Sequence, residues 1–203
     1  MSKKPVIVFE GIEGSGKSYH ISNLSRYFDK KKIDYIKIRE PGGSLNSEKI
    51  RNLILNNKSN FNKNTDLLLY LASRSENIEL LNKNFRKKII IIDRFIDSTI
   101  AYQHYGLGIN LKLINLINKY LLKNFKVDFT FLNTVNKKNM NKRLKLRKSL
   151  NRYDKFNYNF YQNVQRGFLK LANKNKRKYL IIDSNLNRID NKLLIKKKVD
   201  KLI

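Results

Sequence analysis

The chain has 203 residues, 44 lysines and arginines against 16 acidic residues, a formal charge of +28, and 41% hydrophobic content. That length suits one domain, or one with a small appended lid, and the apolar fraction is enough to offset backbone entropy, so wholesale disorder is excluded. The aliphatic run at 89–92 falls far short of the roughly 20 residues a membrane crossing needs, so no membrane partner is expected, and zero cysteines remove disulfides, thiolate metal sites and cysteine nucleophiles.

Residues 1–5 are basic, but they lead into a short apolar strand and then glycines in place of a cleavage site, which predicts a cytoplasmic protein. Residues 5–10 read as a buried strand and 18–30 as a helix with Ile21, Leu24 and Phe28 on one side. A second strand at 34–39 ends in the turn Pro41-Gly42-Gly43. Helices follow at 45–55 and 65–81, the latter carrying Leu67, Leu68, Leu71 and Ile78 at helical spacing. The run 88–93 is the strongest strand, 98–105 begins another helix, and 111–122 is helical. A strand at 128–133, helices at 139–147 and 157–173, a strand at 179–183 and a C-terminal helix complete the series. Strand and helix alternate without repeat or linker, which predicts an α/β fold, a parallel sheet covered by helices on both faces, in a single domain over 1–203. Catalytic groups then belong where strands give way to loops.

Between the first strand and the first helix lies Gly11-Ile12-Glu13-Gly14-Ser15-Gly16-Lys17-Ser18, which fits G-x-x-x-x-G-K-[ST]. The glycines permit positive φ and let successive N–H groups turn inward around a phosphate, at the positive end of the helix dipole. Lys17 is then placed to reach the β- and γ-phosphates of a nucleotide, and the Ser18 hydroxyl to ligate Mg²⁺. The motif points to NTP binding and leaves the acceptor open. At the end of the strand at 88–93, Asp93 is a candidate Mg²⁺ ligand, directly or through water, and Arg94 points to an anion beside it; a strand-end ion pair has the same pattern.

Lysine and asparagine fill most polar positions and isoleucine many apolar ones, all with AT-rich codons, so the charge reads as compositional drift. Lys87-Lys88, Lys137-Lys138 and Lys196-Lys197-Lys198 are scattered and none is interleaved with aromatics. No specific nucleic-acid partner is expected, only a general affinity for polyanions at low salt.

Four segments together resemble the bacterial thymidylate kinase family: Phe9-Glu10-Gly11 through Ser18, Arg39-Glu40-Pro41-Gly42-Gly43, Asp93-Arg94-Phe95, and Asp97-Ser98-Thr99-Ile100-Ala101-Tyr102-Gln103. The resemblance implies a three-layer P-loop NTPase fold of about five strands with a small helical lid, here about 143–157, transferring phosphate from ATP with Mg²⁺ to dTMP, in a homodimer. It implies that Tyr70 stacks on the thymine ring and that Arg74, one helical turn later, hydrogen-bonds the base; read without it, the pair is a half-buried aromatic with a snorkelling arginine. Arg51 and Arg94 match arginines near the acceptor phosphate, and Ser98, Tyr102 and Gln103 match the nucleoside pocket. Tyr102 stands where a ribose 2′-hydroxyl would be crowded, and Glu13 matches an acid near the 3′-hydroxyl.

In the bacterial form of the family the lid supplies an arginine that the P-loop lacks, and positions 14 and 15 here are Gly14 and Ser15. Arg147 is the first choice, ahead of Arg143 and Arg152. His104, Tyr105 and Leu107 depart from the usual Q-G-x-G-R-G, Asn151 stands where aspartate is usual, and Asn163 and Gln165 replace basic positions. Three alternatives remain open at this stage: a kinase of another small acceptor, a P-loop ATPase acting on nucleic acid, and a binding protein without turnover.

Overall fold

The computed structural model describes residues 4–203, so most of the basic start at 1–5 lies outside the described residues. Five parallel strands, β1 (Val6–Glu10), β2 (Tyr35–Arg39), β3 (Ile89–Asp93), β4 (Phe129–Thr134) and β5 (Tyr179–Asp183), form one sheet in the order β2-β3-β1-β4-β5. Each falls where the apolar runs put it. Because side chains alternate across a strand, β1 sends Ile7 and Phe9 to one face and Val6 and Val8 to the other, while β3 splits Ile89 and Ile91 from Ile90 and Ile92.

The first face is covered by helices α1 (Lys17–Lys30) and α8 (Arg188–Asp200), through Ile21, Leu24 and Phe28 and through Ile195 and Val199. Across the sheet lie α2 (Leu45–Leu55), α3 (Lys63–Asn84) and α5 (Leu111–Leu122), with Leu81 and Leu122 against Val8, Ile90 and Ile92. The segment expected as a helix over 98–105 is α4 (Ile96–Thr99) running straight into a π-helical stretch, Ile100–Gly106. Apolar spacing over two turns does not distinguish these windings, and the wider one aims Tyr102 and Gln103 into a cleft. Helices α6 (Lys137–Lys145) and α7 (Tyr158–Lys174) flank a single 3₁₀ turn at Arg152–Lys155. Leu68 is an exception to the expected core stripe of α3: it is 60% exposed while Leu67 and Leu71 are buried.

Asparagine begins most of the helices. Asn62, Asn110, Asn136, Asn157 and Asn187 cap α3, α5, α6, α7 and α8 by accepting backbone N–H bonds, and Ser44 caps α2. Helix α1 starts instead at Gly16, φ 86°, with no side-chain cap. Strand register brings the functional loops together: Phe9 and Arg39 both pair with Asp93, so the loops after β1, β2 and β3 leave from one edge of the sheet.

Helix α7 lies hard against the π-helical stretch. A Cβ added at Gly167 would sit 2.4 Å from Cδ2 and 2.9 Å from Cβ of Tyr105. Alanine would gain about 1 kcal/mol of helix propensity there, but overpacking against ring atoms this near the backbone costs about 1–3 kcal/mol. Gly167→Ala is therefore expected to lower the urea midpoint with an unchanged slope. A midpoint at or above the parent's would show that the two segments separate freely.

Candidate active site

The phosphate-binding loop takes the conformation its glycines allow, with Gly11, Gly14 and Gly16 all at positive φ (139°, 69° and 86°). At Gly11 a side chain is sterically excluded, since a Cβ would lie 2.2 Å from the Asn133 carbonyl oxygen. The Lys17 ammonium is buried and donates to the carbonyls of Gly11 (2.8 Å) and Ile12 (3.1 Å), ready at the cradle's centre. Burial and the neighbouring Arg94 pull its pKa down to about 8, against the opposing pull of Asp93 and Glu13.

One cleft of about 180 Å³ adjoins this loop. It is lined by every side chain expected to act: Glu13, Lys17, Ser18, Arg51, Tyr70, Arg74, Asp93, Arg94, Ser98, Tyr102, Gln103 and Arg147. Arg94 ties several of these together. The guanidinium donates to the Gly11 carbonyl at 2.8 Å, to Glu13 at 2.9 Å and to the Tyr102 hydroxyl at 3.2 Å, and the Tyr102 hydroxyl in turn donates to Glu13. Burial works against ionising Glu13, but Arg94 and Lys17 overcome it and hold the carboxyl below its ordinary range. Burial likewise opposes the Arg94 charge, and Tyr102, Glu13 and Asp93 more than restore it.

Asp93 Oδ1 is buried without a hydrogen-bond partner, and the exposed Ser18 hydroxyl lines the same cleft. A buried, unmatched carboxylate oxygen with a hydroxyl nearby suits a hard, oxygen-seeking cation. Mg²⁺ takes one or two such protein ligands and completes its shell with water and substrate phosphates. The donor set fits that ion, and no larger cluster of acids or histidines exists among the described residues.

On the far side of the cleft, Arg74 is fully buried and held on three sides. Nε donates to Glu40 at 2.8 Å, Nη1 to Asn118 at 2.6 Å and Nη2 to Thr99 at 3.0 Å. Three of its five N–H groups are bonded, so its position is fixed rather than snorkelling. Tyr70 lies edge-on to Tyr153, with centroids 5.9 Å apart. Arg51 donates to the Pro41 carbonyl at 2.6 Å. Ser98 turns inward and donates to the buried Glu10 at 2.5 Å, so it holds the loop as well as lining the cleft.

The three lid candidates separate cleanly. Arg147 lines the cleft and pairs with Asp154 at 2.5 Å. Arg143 reaches behind the phosphate loop to the carbonyls of Gly14 (2.8 Å) and Ser184 (2.6 Å). Arg152 pairs with Asp66 on α3. His104 is spoken for by the Ile109 carbonyl at 2.8 Å and does not line the cleft, and Gln165 bonds both backbone groups of Val135.

Sequence reasoning did not assign roles to Glu40, Thr99, Asn118, Asn151 or Tyr153. Glu40 and Thr99 stood inside the quoted motifs, so a buried arginine nearby was the available signal. Asn118 lies on a helix 44 positions from Arg74 and gave none.

A glycine-rich cradle that shares one cleft with a second compartment of arginines and aromatics defines a P-loop nucleoside monophosphate kinase. The thymidylate kinase family model matches residues 9–193. The chain is 39% identical to a thymidylate kinase of Thermosipho africanus over 187 residues, 91% of this chain and 92% of the relative. It is 36% identical to one of Mycoplasma capricolum over 184 residues, 88% of this chain and 86% of the relative. A crystal structure of thymidylate kinase from Ehrlichia chaffeensis matches with TM-score 0.76 at 33% identity, covering 97% of this chain and 98% of that one. The chain belongs to the thymidylate kinase family.

Truncating Glu40 would strand the Arg74 charge, both side chains being no more than 5% exposed. Loss of one partner of a buried pair costs about 3–5 kcal/mol. Glu40→Ala is expected to lose that much in urea unfolding, and a loss within about 1 kcal/mol would mean that Asn118 and Thr99 suffice to hold the guanidinium.

Proposed function

We propose that this chain transfers the γ-phosphoryl group of ATP to the 5′-phosphate of dTMP, giving ADP and dTDP. The observation that carries the reading is the shared cleft, which Lys17, Tyr70, Arg74 and Arg94 all line; in this reading Lys17 and the loop N–H groups serve the donor, Tyr70 and Arg74 a planar base, and Arg94 the acceptor phosphate. A phosphate monoester has a second pKa near about 6, so its oxygen attacks without a dedicated base. The new O–P bond forms at the γ-phosphorus as the bridging bond to the β-phosphate breaks, and the leaving electron pair stays on ADP. Lys17 and Arg147 spread the charge on the transferring group, and Arg94, with Arg51, holds the acceptor in line. Mg²⁺ held by Ser18 and Asp93 would supply further neutralisation of the phosphates.

Glu13 and Tyr102 are read as lining the sugar, and Ser98 and Gln103 the nucleoside. Arg147 is favoured among the lid arginines because it lines the cleft; leaving Asp154 for the phosphoryl group is the motion assigned to a lid over 143–157 of a single domain. Helix α5 exposes Leu113, Leu116 and Tyr120 along one face, which supports a homodimer. The absence of cysteine supports a reducing, cytoplasmic setting.

A coupled ADP-release assay comparing dTMP with dUMP, UMP, dCMP and thymidine tests the reading. Turnover should be best with dTMP and very low with thymidine, which brings no acceptor phosphate; equal rates with UMP would remove the proposed role of Tyr102. Lys17→Ala should nearly abolish turnover, and activity within about tenfold of the parent would defeat its role in neutralising the phosphates.

Acidity gives a second handle. With Lys17 titrating at about 8, the ammonium is intact below that pH and lost above it, so kcat/KM for ATP should be flat up to about pH 8 and then fall about tenfold per unit. Bound phosphates favour the ammonium, so kcat should hold to higher pH. A kcat/KM profile still flat at about pH 10 would show that the amine is not the group required.

A further inference from the structure

Helices α1 and α8 run side by side in the same direction, each leaving the carboxyl edge of the sheet and joined by the apolar contacts of Leu24 and Phe28 with Ile195 and Val199. Their outer rims meet in an open groove, remote from the cleft, lined by Asn23, Arg26, Tyr27, Lys30, Lys192, Leu193 and Lys196. Arg188 stands 5.5 Å over the Tyr19 ring, and Lys196, two helical turns on, stands 4.6 Å over Tyr27. Lys192 falls midway between them, so α8 presents one cation every four residues, a spacing of about 6 Å along the helix.

Arg26, Lys30, Lys192 and Lys196 are exposed, and none forms an ion pair among the described residues. Elsewhere acids serve such partners, as Glu48 serves Arg39 and Asp34 serves Lys88. Asp200, the acid beside the groove, instead accepts the Tyr27 hydroxyl at 2.5 Å. Stacking on tyrosine holds two of the cations in place, which lowers the rotamer entropy lost when an anion binds.

We propose that the α1–α8 groove binds the sugar–phosphate backbone of single-stranded nucleic acid, without regard to base sequence. A thin, flexible polyanion follows a row of regularly spaced cations in a concave groove. A duplex holds its phosphates on two rigid rows, and a flat bilayer presents its headgroups in a plane, so neither follows a single row of cations as readily. A cation stands over one face of the Tyr27 ring, the aromatic of the groove, and contact through the backbone alone leaves the bases unread. Lys196, in a lysine run with no aromatic beside it in sequence, thus stands against Tyr27 once the two helices pack. The site is independent of phosphoryl transfer.

The test is fluorescence anisotropy of labelled oligo(dT) and oligo(rU) across a salt series, on the parent, on a groove variant (Arg26→Gln, Lys192→Gln, Lys196→Gln) and on a control variant (Lys58→Gln, Lys83→Gln, Lys87→Gln) that removes the same charge from other exposed positions. Each lost phosphate contact removes about 0.7 from the slope of log affinity against log salt, so the groove variant should lose about 2 units of slope and about tenfold or more in affinity near physiological salt. The control should stay within about twofold of the parent, both oligonucleotides should bind alike, and dTMP phosphorylation by the groove variant should be unchanged. Equal weakening by the control would assign the binding to the summed charge and overturn the site. Tighter binding of duplex DNA, a tenfold preference for one oligonucleotide, or displacement by phosphatidylserine vesicles at equal phosphate would overturn the proposed occupant.

Discussion

The site depends on one guanidinium that joins two loops. Arg94 sits just past the end of β3 in the left-handed region, φ 67°, a conformation that costs a non-glycine residue about 1–3 kcal/mol. Its surroundings hold it there. The Arg94 N–H extends the sheet by donating to Phe9, and Glu10, buried beneath, accepts the N–H groups of Phe95 and Ser98. Burial and the nearby Asp97 raise the Glu10 pKa to about 7, so this carboxyl changes charge close to neutrality while it supports the loop. Beyond the backbone, the side chain fastens to Gly11 and Glu13 of the phosphate loop. The spacing between the two halves of the cleft is therefore set by β1–β3 register and one arginine, rather than by flexible loops.

Arg74 and Arg94 divide the electrostatic work of the cleft. Arg74 has a carboxylate of its own, Glu40, at 2.8 Å, and two neutral oxygens on its other donors. Its charge is matched, and the guanidinium is held rigidly at the cleft. Arg94 shares Glu13 with Lys17 and Tyr102, three groups around one carboxylate. That leaves a surplus of positive charge beside the phosphate loop, in keeping with the acceptor-phosphate role proposed for Arg94.

Much of this is legible in the sequence. Contiguous motifs carried the phosphate loop, Asp93-Arg94 and the segment from Asp97 to Gln103, because each is a local backbone requirement written in adjacent residues. Strands β1, β3 and β4 were legible because both faces are buried there, which makes each a short apolar run, while the partly exposed edge strands β2 and β5 keep only a shorter apolar signal. Winding and partnership were harder to read. The π-helical stretch depends on α7 packing through Gly106 and Gly167, and no period within residues 98–105 encodes a helix 50 positions away. Arg74 drew its third partner, Asn118, from α5 by tertiary contact alone. The three candidate arginines differ in the partners each one meets, Asp154 for Arg147, Asp66 for Arg152 and the Gly14 and Ser184 carbonyls for Arg143, and none of these partners lies at a spacing that marks it.

Asparagine and lysine enrichment looked alike in the sequence, yet the two have different consequences in the fold. Asparagine closes the N-termini of α3, α5, α6, α7 and α8, meeting donors that would otherwise be unpaired. Among the longer described helices, α1 alone begins without a side-chain cap. Gly16 occupies that position, and a capping side chain there would compete for the N–H groups that the phosphate loop directs at an anion. Capping the other helices and leaving this one open concentrates free backbone donors at a single terminus. The nucleotide site is thus marked as much by the oxygen missing from position 16 as by the lysine that follows it.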